Sequence, residues 1–358
     1  MSNIYSVPPQ NSHDAVNPVF ESPLLDNSSR EILDPAEARR HFSKLGLAYL
    51  IMTVAHLSMT LAVQFVVRFS YPLLLTAWWF RWALSLLPLY GVGLPVLLLC
   101  LRRVPKSPHN GDFTHRHTTE DKPAFRLRHW LILLVIAFGC MTAGGIVGNV
   151  MMNMLSAVMQ YDYAFALNGM VDESPLWFTF LCTCVFAPVG EELLYRKLLI
   201  DRTRRFGDLI SILLSGLLFG LFHGNLFQFF YAAMVGMVLA YVYTRSGKIG
   251  WCMAMHAAIN LMGTIVVPSI AKLIPPDLMS FDGVISVLAY LAVLLWEYGM
   301  LLAAIVLFAV FISRVKLSRG AVSVRGADHA AVALLNSGIM AYVVIQVLFV
   351  ITNLIPAY

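Results

Sequence analysis

The chain has 358 residues, of which 59% are hydrophobic and only 13% are charged. An ordinary soluble domain has about 45–50% apolar and about 25% charged residues, so this composition excludes a typical soluble globular protein. The net charge of +5 comes mainly from Lys and Arg at the ends of apolar blocks. That placement indicates membrane topology rather than nucleic-acid binding.

The first forty residues are polar and rich in Pro, Asn and Ser. They contain no apolar block long enough for a signal peptide, so residues 1–40 are predicted to be a disordered cytoplasmic tail, and residues 41–358 a membrane domain. All five cysteines lie in apolar stretches, which predicts small membrane-embedded side chains rather than disulfides or a metal cluster. They are Cys100, Cys140, Cys182, Cys184 and Cys252.

Nine apolar blocks follow the tail, and most are about as long as a membrane-spanning helix. They lie at residues 46–67, 74–101, 130–150, 174–195, 208–223, 225–243, 249–268, 284–312 and 331–353. The sequence therefore predicts an all-α, polytopic integral membrane helix bundle with eight or nine transmembrane helices.

Basic residues are distributed unevenly between the predicted loops. Residues 102–128 hold seven Lys or Arg residues, whereas residues 151–173 hold none. Lys and Arg are retained on the cytoplasmic side, so we expect a plasma-membrane protein with a cytoplasmic N-terminus. Arg81 is an exception inside the second block, and it must either snorkel to the interface or pair within the bundle.

Ionisable side chains inside apolar blocks are costly and therefore mark candidate functional sites. Glu191, Glu192 and Arg196 end the fourth block. Glu192 and Arg196 are four residues apart on a helix, so we expect them to form an ion pair. Glu191 lies about 100° further around the helix and is free to face another group.

Two histidine motifs follow, Phe219 to His223 and His256 to Asn260. His256 and Asn260 share one helical face and can direct polar groups toward one point. With the carboxylates, they place groups that transfer protons or ligate metals on three consecutive helical regions. At 1.5 Å per residue, Glu191 and His256 lie at similar depths, about 16 and about 12 Å from basic flanks. We therefore predict a polar chamber in the cytoplasmic half of the membrane.

The ordered motifs E-E-x-x-x-R, F-x-x-x-H and H-x-x-x-N resemble those of the CPBP family, the CAAX proteases and bacteriocin-processing enzymes also called the Abi family. The resemblance covers about residues 174–263, the expected catalytic core, and leaves both ends of the chain uncovered. It implies an intramembrane endopeptidase that cleaves a membrane-proximal or prenylated, CAAX-type protein or peptide tail.

The same resemblance implies roles for the motif residues. Glu191 and His223 would activate the attacking water, and His256 and Asn260 would stabilise the oxyanion. Glu192 and Arg196 would hold the site together. The expected partners are a protein or peptide substrate, with or without a lipid, and the membrane lipids.

Two questions stay open at this point. Glu191, His223 and His256 could ligate zinc with an open position for water, but two carboxylates and two histidines could also activate water without a metal. The alternative functions are a non-catalytic membrane scaffold or bacteriocin-immunity protein, and a proton-coupled transporter that uses the cluster as a relay.

Overall fold

The computed structural model describes residues 31–107, 125–160, 173–275, 283–315 and 317–354. In these ranges, seven helices are long and apolar enough to cross a membrane. They are α1 (Pro35–Ser70), α2 (Trp78–Leu101), α3 (Leu127–Met159), α4 (Leu176–Phe206), α6 (Leu226–Ser246), α7 (Ile249–Ala271) and α8 (Val284–Arg314). Three shorter helices complete the set: α5 (Asp208–Phe222), α9 (His329–Leu334) and α10 (Ser337–Asn353).

The prediction of a polytopic helical membrane protein is confirmed, and each of the nine apolar blocks contains a helix. The helix α5 has 15 residues and α10 has 17. Both fall short of the roughly 20 residues that a membrane span needs. In the described ranges, seven helices meet the length criterion, and α5 and α10 are two shorter apolar helices, which gives nine apolar helices in all.

One small sheet interrupts the predicted all-α fold. The strand β1 (Glu31–Leu33) pairs in parallel with β2 (Val322–Val324). Strands of three residues are too short to produce a recognisable alternating pattern. Residues 31–40, predicted as tail, form β1 and the start of α1, where Pro35 occupies the first helical turn. The tail's first thirty residues lie outside the described ranges.

The helix α6 lies in the middle of the bundle and packs against α3 and α5. Small residues allow this close packing, as is common between membrane helices. A Cβ on Gly144 of α3 would lie 2.4 Å from the Cα of Tyr231 on α6. A Cβ on Gly220 of α5 would lie 2.8 Å from the Cβ of Ala233. Glycine contacts thus hold α3 and the motif-bearing helix α5 close to α6.

A second contact joins the two ends of the described chain. The helices α1 and α10 meet at Gly46 and Gly338, where a Cβ on Gly46 would lie 2.3 Å from the Gly338 backbone. The Ser43 hydroxyl accepts a hydrogen bond from the Gly338 amide at 3.1 Å. Tyr49 of α1 and Tyr342 of α10 are fully buried behind this contact, against α4.

Candidate active site

The helix α4 carries the paired carboxylates and is not a regular α-helix. Two π-helical segments, Leu181–Phe186 and Leu193–Leu198, flank the α-helical turn Ala187–Glu192. A π-helical turn changes the register of the side chains and weakens the local hydrogen-bond ladder, and such turns are frequent at functional sites. The carboxylates therefore lie on a short α-helical segment between two irregular ones.

Side chains from three other helices bind carbonyl groups in these π-helical segments. Asn260 Nδ2 on α7 donates to the Thr183 carbonyl at 2.7 Å. Ser215 Oγ on α5 donates to the Tyr195 carbonyl at 2.8 Å, and Tyr49 on α1 donates from its hydroxyl to the Leu194 carbonyl. These bonds fix the position of α4 relative to its neighbours on both sides of the carboxylates.

Glu192 is fully buried and has two partners. Its Oε1 accepts a hydrogen bond from His256 Nδ1 at 2.8 Å. Its Oε2 lies 3.1 Å from Arg196 Nε in an ion pair that lacks well-aligned hydrogen-bond geometry. The predicted pairing of Glu192 with Arg196 is confirmed. The contact with His256 was not predicted, and it means that one buried carboxylate serves both an arginine and a histidine.

Arg196 is fully buried and joins three helices. Its guanidinium carbon lies 4.4 Å from the ring centroid of Phe219 on α5, a cation–π contact. Its Nη2 donates to the carbonyl of Gly236 on α6 at 3.1 Å. A Cβ on Gly236 would lie 2.9 Å from the Phe219 ring and 3.4 Å from Arg196. Glycine at this position leaves room for the arginine.

Glu191 has a different environment from its neighbour. Its side chain is 15% exposed, and its Oε2 lies 3.8 Å from His256 Nε2. That distance is too long for a direct hydrogen bond. The His256 ring therefore lies between two carboxylates, bonded to the buried Glu192 on one side and facing the more exposed Glu191 on the other.

His223 lies at the C-terminal end of α5, and its Nδ1 is 2.8 Å from the carbonyl of Phe219. A carbonyl only accepts, so Nδ1 must carry the proton of this hydrogen bond, which leaves Nε2 of the neutral ring as an acceptor. Both His223 and His256 pack edge-on against the Phe219 ring, at centroid distances of 4.9 and 5.7 Å. Glu191 and His256 lie within electrostatic range of His223.

The structure thus gathers five of the six predicted site residues around Phe219 and His256. Asn260 shares the helix of His256, but its amide group binds the α4 backbone at Thr183. One Nδ2 hydrogen of Asn260 is committed to that bond, so only the second hydrogen is left for a substrate. The oxyanion role of Asn260 stays a prediction.

The donor set does not match a zinc site. In the described ranges, no three His, Cys, Asp or Glu side chains are grouped closely enough to hold a metal ion. Zinc in catalytic sites takes three protein ligands at about 2.0–2.3 Å. The three candidate ligands named above, Glu191, His223 and His256, do not form such a group in this arrangement. Zinc therefore has no part in the reaction steps proposed below.

Sequence reasoning missed one aromatic residue at the site. Tyr90 lies on α2 in the π-helical turn Leu89–Gly93, and its ring packs on Gly190, the residue before Glu191. A Cβ on Gly190 would lie 2.1 Å from this ring. Tyr90 is also within electrostatic range of Glu191. A tyrosine in an apolar block carries no motif, so only the fold could reveal this contact.

Comparison with protein families matches residues 173–262 to the family described as type II CAAX prenyl endopeptidase Rce1-like. This segment is similar to the Rce1-like family. The resemblance to CPBP proteases is thereby confirmed. The Rce1-like segment contains all six predicted site residues, whereas Tyr90 and Tyr49 come from helices outside it.

Two curated relatives from Lactococcus lactis subsp. lactis (strain IL1403) belong to the same family. The UPF0177 protein YbdJ is 26% identical over 160 residues, which cover 44% of this chain and 66% of the relative. The UPF0177 protein YbdI is 29% identical over 151 residues, which cover 39% of this chain and 78% of the relative. No solved structure matches the chain. The Rce1-like segment and the apolar helices indicate an integral membrane protease of the CAAX type at family level.

Proposed function

We propose that this protein is an intramembrane endopeptidase that cleaves a membrane-proximal or prenylated, CAAX-type tail with water activated by Glu191 and His223. The observation that carries the proposal is the different environment of two adjacent carboxylates. Glu192 is fully buried and paired, whereas Glu191 is partly exposed and faces the same histidine. Adjacent groups in different environments can take separate roles as a structural partner and as a base.

The attacking water lies between Glu191 and His223 in the proposed reaction. The Glu191 carboxylate and the unprotonated Nε2 of His223 each accept one hydrogen bond from it, which orients the oxygen lone pair toward the scissile carbonyl. Glu191 removes one proton as the new C–O bond forms. The same proton then passes to the leaving nitrogen as the C–N bond breaks, so the carboxylate is regenerated.

His256 stabilises the negative charge that develops on the carbonyl oxygen. Its Nδ1 donates to the Glu192 carboxylate, which fixes the orientation of the ring. In the proposed step the ring acts as the imidazolium, so that Nε2 also carries a proton and donates it in a hydrogen bond to the oxyanion. The remaining Nδ2 hydrogen of Asn260 is a second donor. Glu192 and Arg196 position these groups without contacting the substrate.

The proposed substrate is a peptide tail that reaches the site within the membrane. The catalytic residues lie on helices with apolar outer faces, and a lipidated tail would be concentrated at such a site by partitioning into the bilayer. We also propose that the protein resides in the plasma membrane with its N-terminus in the cytoplasm, because the basic loops predict that orientation.

Cleavage assays on purified protein test the proposal. The substrates are a farnesylated, internally quenched CAAX peptide and the same peptide without the lipid, each with and without a chelator. We expect the wild type to cleave the farnesylated peptide faster and Glu191→Gln to be inactive. No cleavage by either protein would support the scaffold or immunity alternative, whereas equal rates of cleavage would remove Glu191 from the mechanism. Loss of activity with chelator and recovery with zinc would contradict the metal-free mechanism and indicate a zinc-dependent reaction.

A further inference from the structure

Two arginines, Arg68 and Arg81, lie at the end of the bundle opposite the basic loops, where Lys and Arg are few. The helix α1 begins beside the basic residues Arg40 and Lys44 and ends near Arg68, which is 24 residues beyond Lys44. That separation is about 36 Å along a helix, longer than the roughly 30 Å hydrocarbon core. Arg81 begins α2 at the same end as Arg68. Charge-based topology does not explain arginines at this end, so another role is needed.

Both arginines line one cavity between α1, the 3₁₀ turn Pro72–Thr76 and the start of α2. The cavity has a volume of about 580 Å³, within the range of about 300–1,000 Å³ typical of ligand sites. Gln64 adds a third polar side chain, and the apolar walls include Phe65, Leu75 and Leu84. The cavity therefore has a polar part and an apolar part, as an amphiphilic ligand requires.

The charges in this cavity are only partly balanced. A terminal nitrogen of Arg81 pairs with Glu173, at the start of the Rce1-like segment. The Nε of Arg81 is buried and has no hydrogen-bond partner among the described residues. Arg68 has no ion-pair partner within the described part of the chain. Among the described residues at this cavity, two guanidinium groups and one carboxylate leave one positive charge, which matches a ligand with one negative charge.

We propose that this cavity binds the phosphate of a monoanionic phospholipid between Arg68 and Arg81. The planar guanidinium group presents paired donors that fit phosphate oxygens. An acyl chain lies along Phe65, Leu75 and Leu84. Phosphatidylcholine carries the same phosphate but also a cationic choline, which the two arginines disfavour. The site is therefore selective for phosphatidylglycerol-type lipids, and it is independent of the proposed peptidase activity.

Native mass spectrometry of the full-length protein tests lipid identity. The protein in detergent is titrated with short-chain phosphatidylglycerol, with phosphatidylcholine of the same chain length, with glycerol phosphate and with inorganic phosphate. We expect one phosphatidylglycerol per chain, bound about tenfold more tightly than phosphatidylcholine. Equal affinity for the two lipids would overturn the proposal. Displacement of phosphatidylglycerol by an equal concentration of inorganic phosphate would instead identify a free-anion site.

Two variants test the location of the site. Arg68→Gln removes the arginine that has no ion-pair partner among the described residues, and Gln64→Glu adds a carboxylate that repels the phosphate. Both positions are exposed, so we expect both variants to fold. Each variant should weaken phosphatidylglycerol binding about tenfold, Arg68→Gln by the loss of one charge-assisted contact and Gln64→Glu by repulsion of the phosphate. Lys272→Gln is the control, since it removes a positive charge at the same end of the bundle but outside the cavity. Unchanged binding in both cavity variants would refute the assignment.

Discussion

The imidazole of His256 is held by Glu192, whose Oε1 lies 2.8 Å from the ring Nδ1. The neighbouring Glu191 faces the opposite ring nitrogen at 3.8 Å. The fully buried carboxylate therefore orients the histidine, while the more exposed one is free to bind water. In the proposed mechanism, these two residues, adjacent in sequence, have separate tasks.

Glu191→Gln should abolish peptide cleavage and leave the fold intact. The amide cannot take a proton from the attacking water, and the partly exposed side chain loses no hydrogen bond to the described residues. Turnover of the farnesylated peptide and the midpoint of thermal unfolding in detergent would be measured together. Activity within about tenfold of the wild type would remove Glu191 from the mechanism.

Glu192→Gln should destabilise the protein as well as inactivate it. The substitution leaves Arg196 without its anionic partner in a fully buried position, and breaking one partner of a buried ion pair costs about 3–5 kcal/mol. The same unfolding measurement, compared with that of Glu191→Gln, checks this expectation. A variant as stable as the wild type would contradict the structural role of the pair.

Asn260→Ala should lower both kcat and stability. If the remaining Nδ2 hydrogen acts on the oxyanion, kcat falls by about 10²–10³ with a smaller change in KM. Loss of the bond to the Thr183 carbonyl adds a cost of about 1–3 kcal/mol. Steady-state kinetics separates these effects, because a purely structural role would reduce the amount of folded protein without changing kcat per folded molecule.

Gly236→Ala should disturb the packing of Arg196 on Phe219. Its new methyl group would lie 2.9 Å from the Phe219 ring and 3.1 Å from the Gly216 Cα, and such overpacking costs about 1–3 kcal/mol. Gly250→Ala is a matched control, since a Cβ there meets nothing within 4 Å. Thermal unfolding should show a lower midpoint for Gly236→Ala only; equal midpoints for the two variants would show that the site can relax.

Gly190→Ala should clash with Tyr90, and Tyr90→Ala should partly relieve the clash. A Cβ on Gly190 would lie 2.1 Å from the tyrosine ring, whereas a Cβ on Gly91, in the same π-helical turn as Tyr90, meets nothing within 4 Å. Gly91→Ala therefore serves as the control. A double-mutant cycle on unfolding free energy should give a coupling of about 0.5–3 kcal/mol between Gly190 and Tyr90. Strict additivity would show that the two residues do not touch.

Sequence reasoning located the helices and the local ion pair because both depend on short spacings. Hydropathy gives the apolar blocks, and the four-residue spacing gives the Glu192–Arg196 pair. The contact of Glu192 with His256 joins residues 64 positions apart. This contact depends on the two π-helical segments of α4, which shift the side chains away from the positions that a regular 3.6-residue period predicts.

Contacts from outside the motif segment were also beyond sequence analysis. Tyr90 reaches Gly190 from α2, and Tyr49 reaches the Leu194 carbonyl from α1. Neither tyrosine belongs to a motif, and an aromatic residue in an apolar block is normally interpreted as packing. Arg81, in the first turn of α2, pairs with Glu173, a partner that the sequence alone did not identify.

The close contact between Gly46 and Gly338 has a consequence for any shortened version of this protein. Both glycines lie outside residues 173–262, yet the helices that they join cover α4 through Tyr49 and Tyr342. Deletion of either flank would expose the same buried face of α4 to lipid or solvent. Residues 173–262 are therefore not an autonomous unit, and both flanking helices are needed to cover this face of α4.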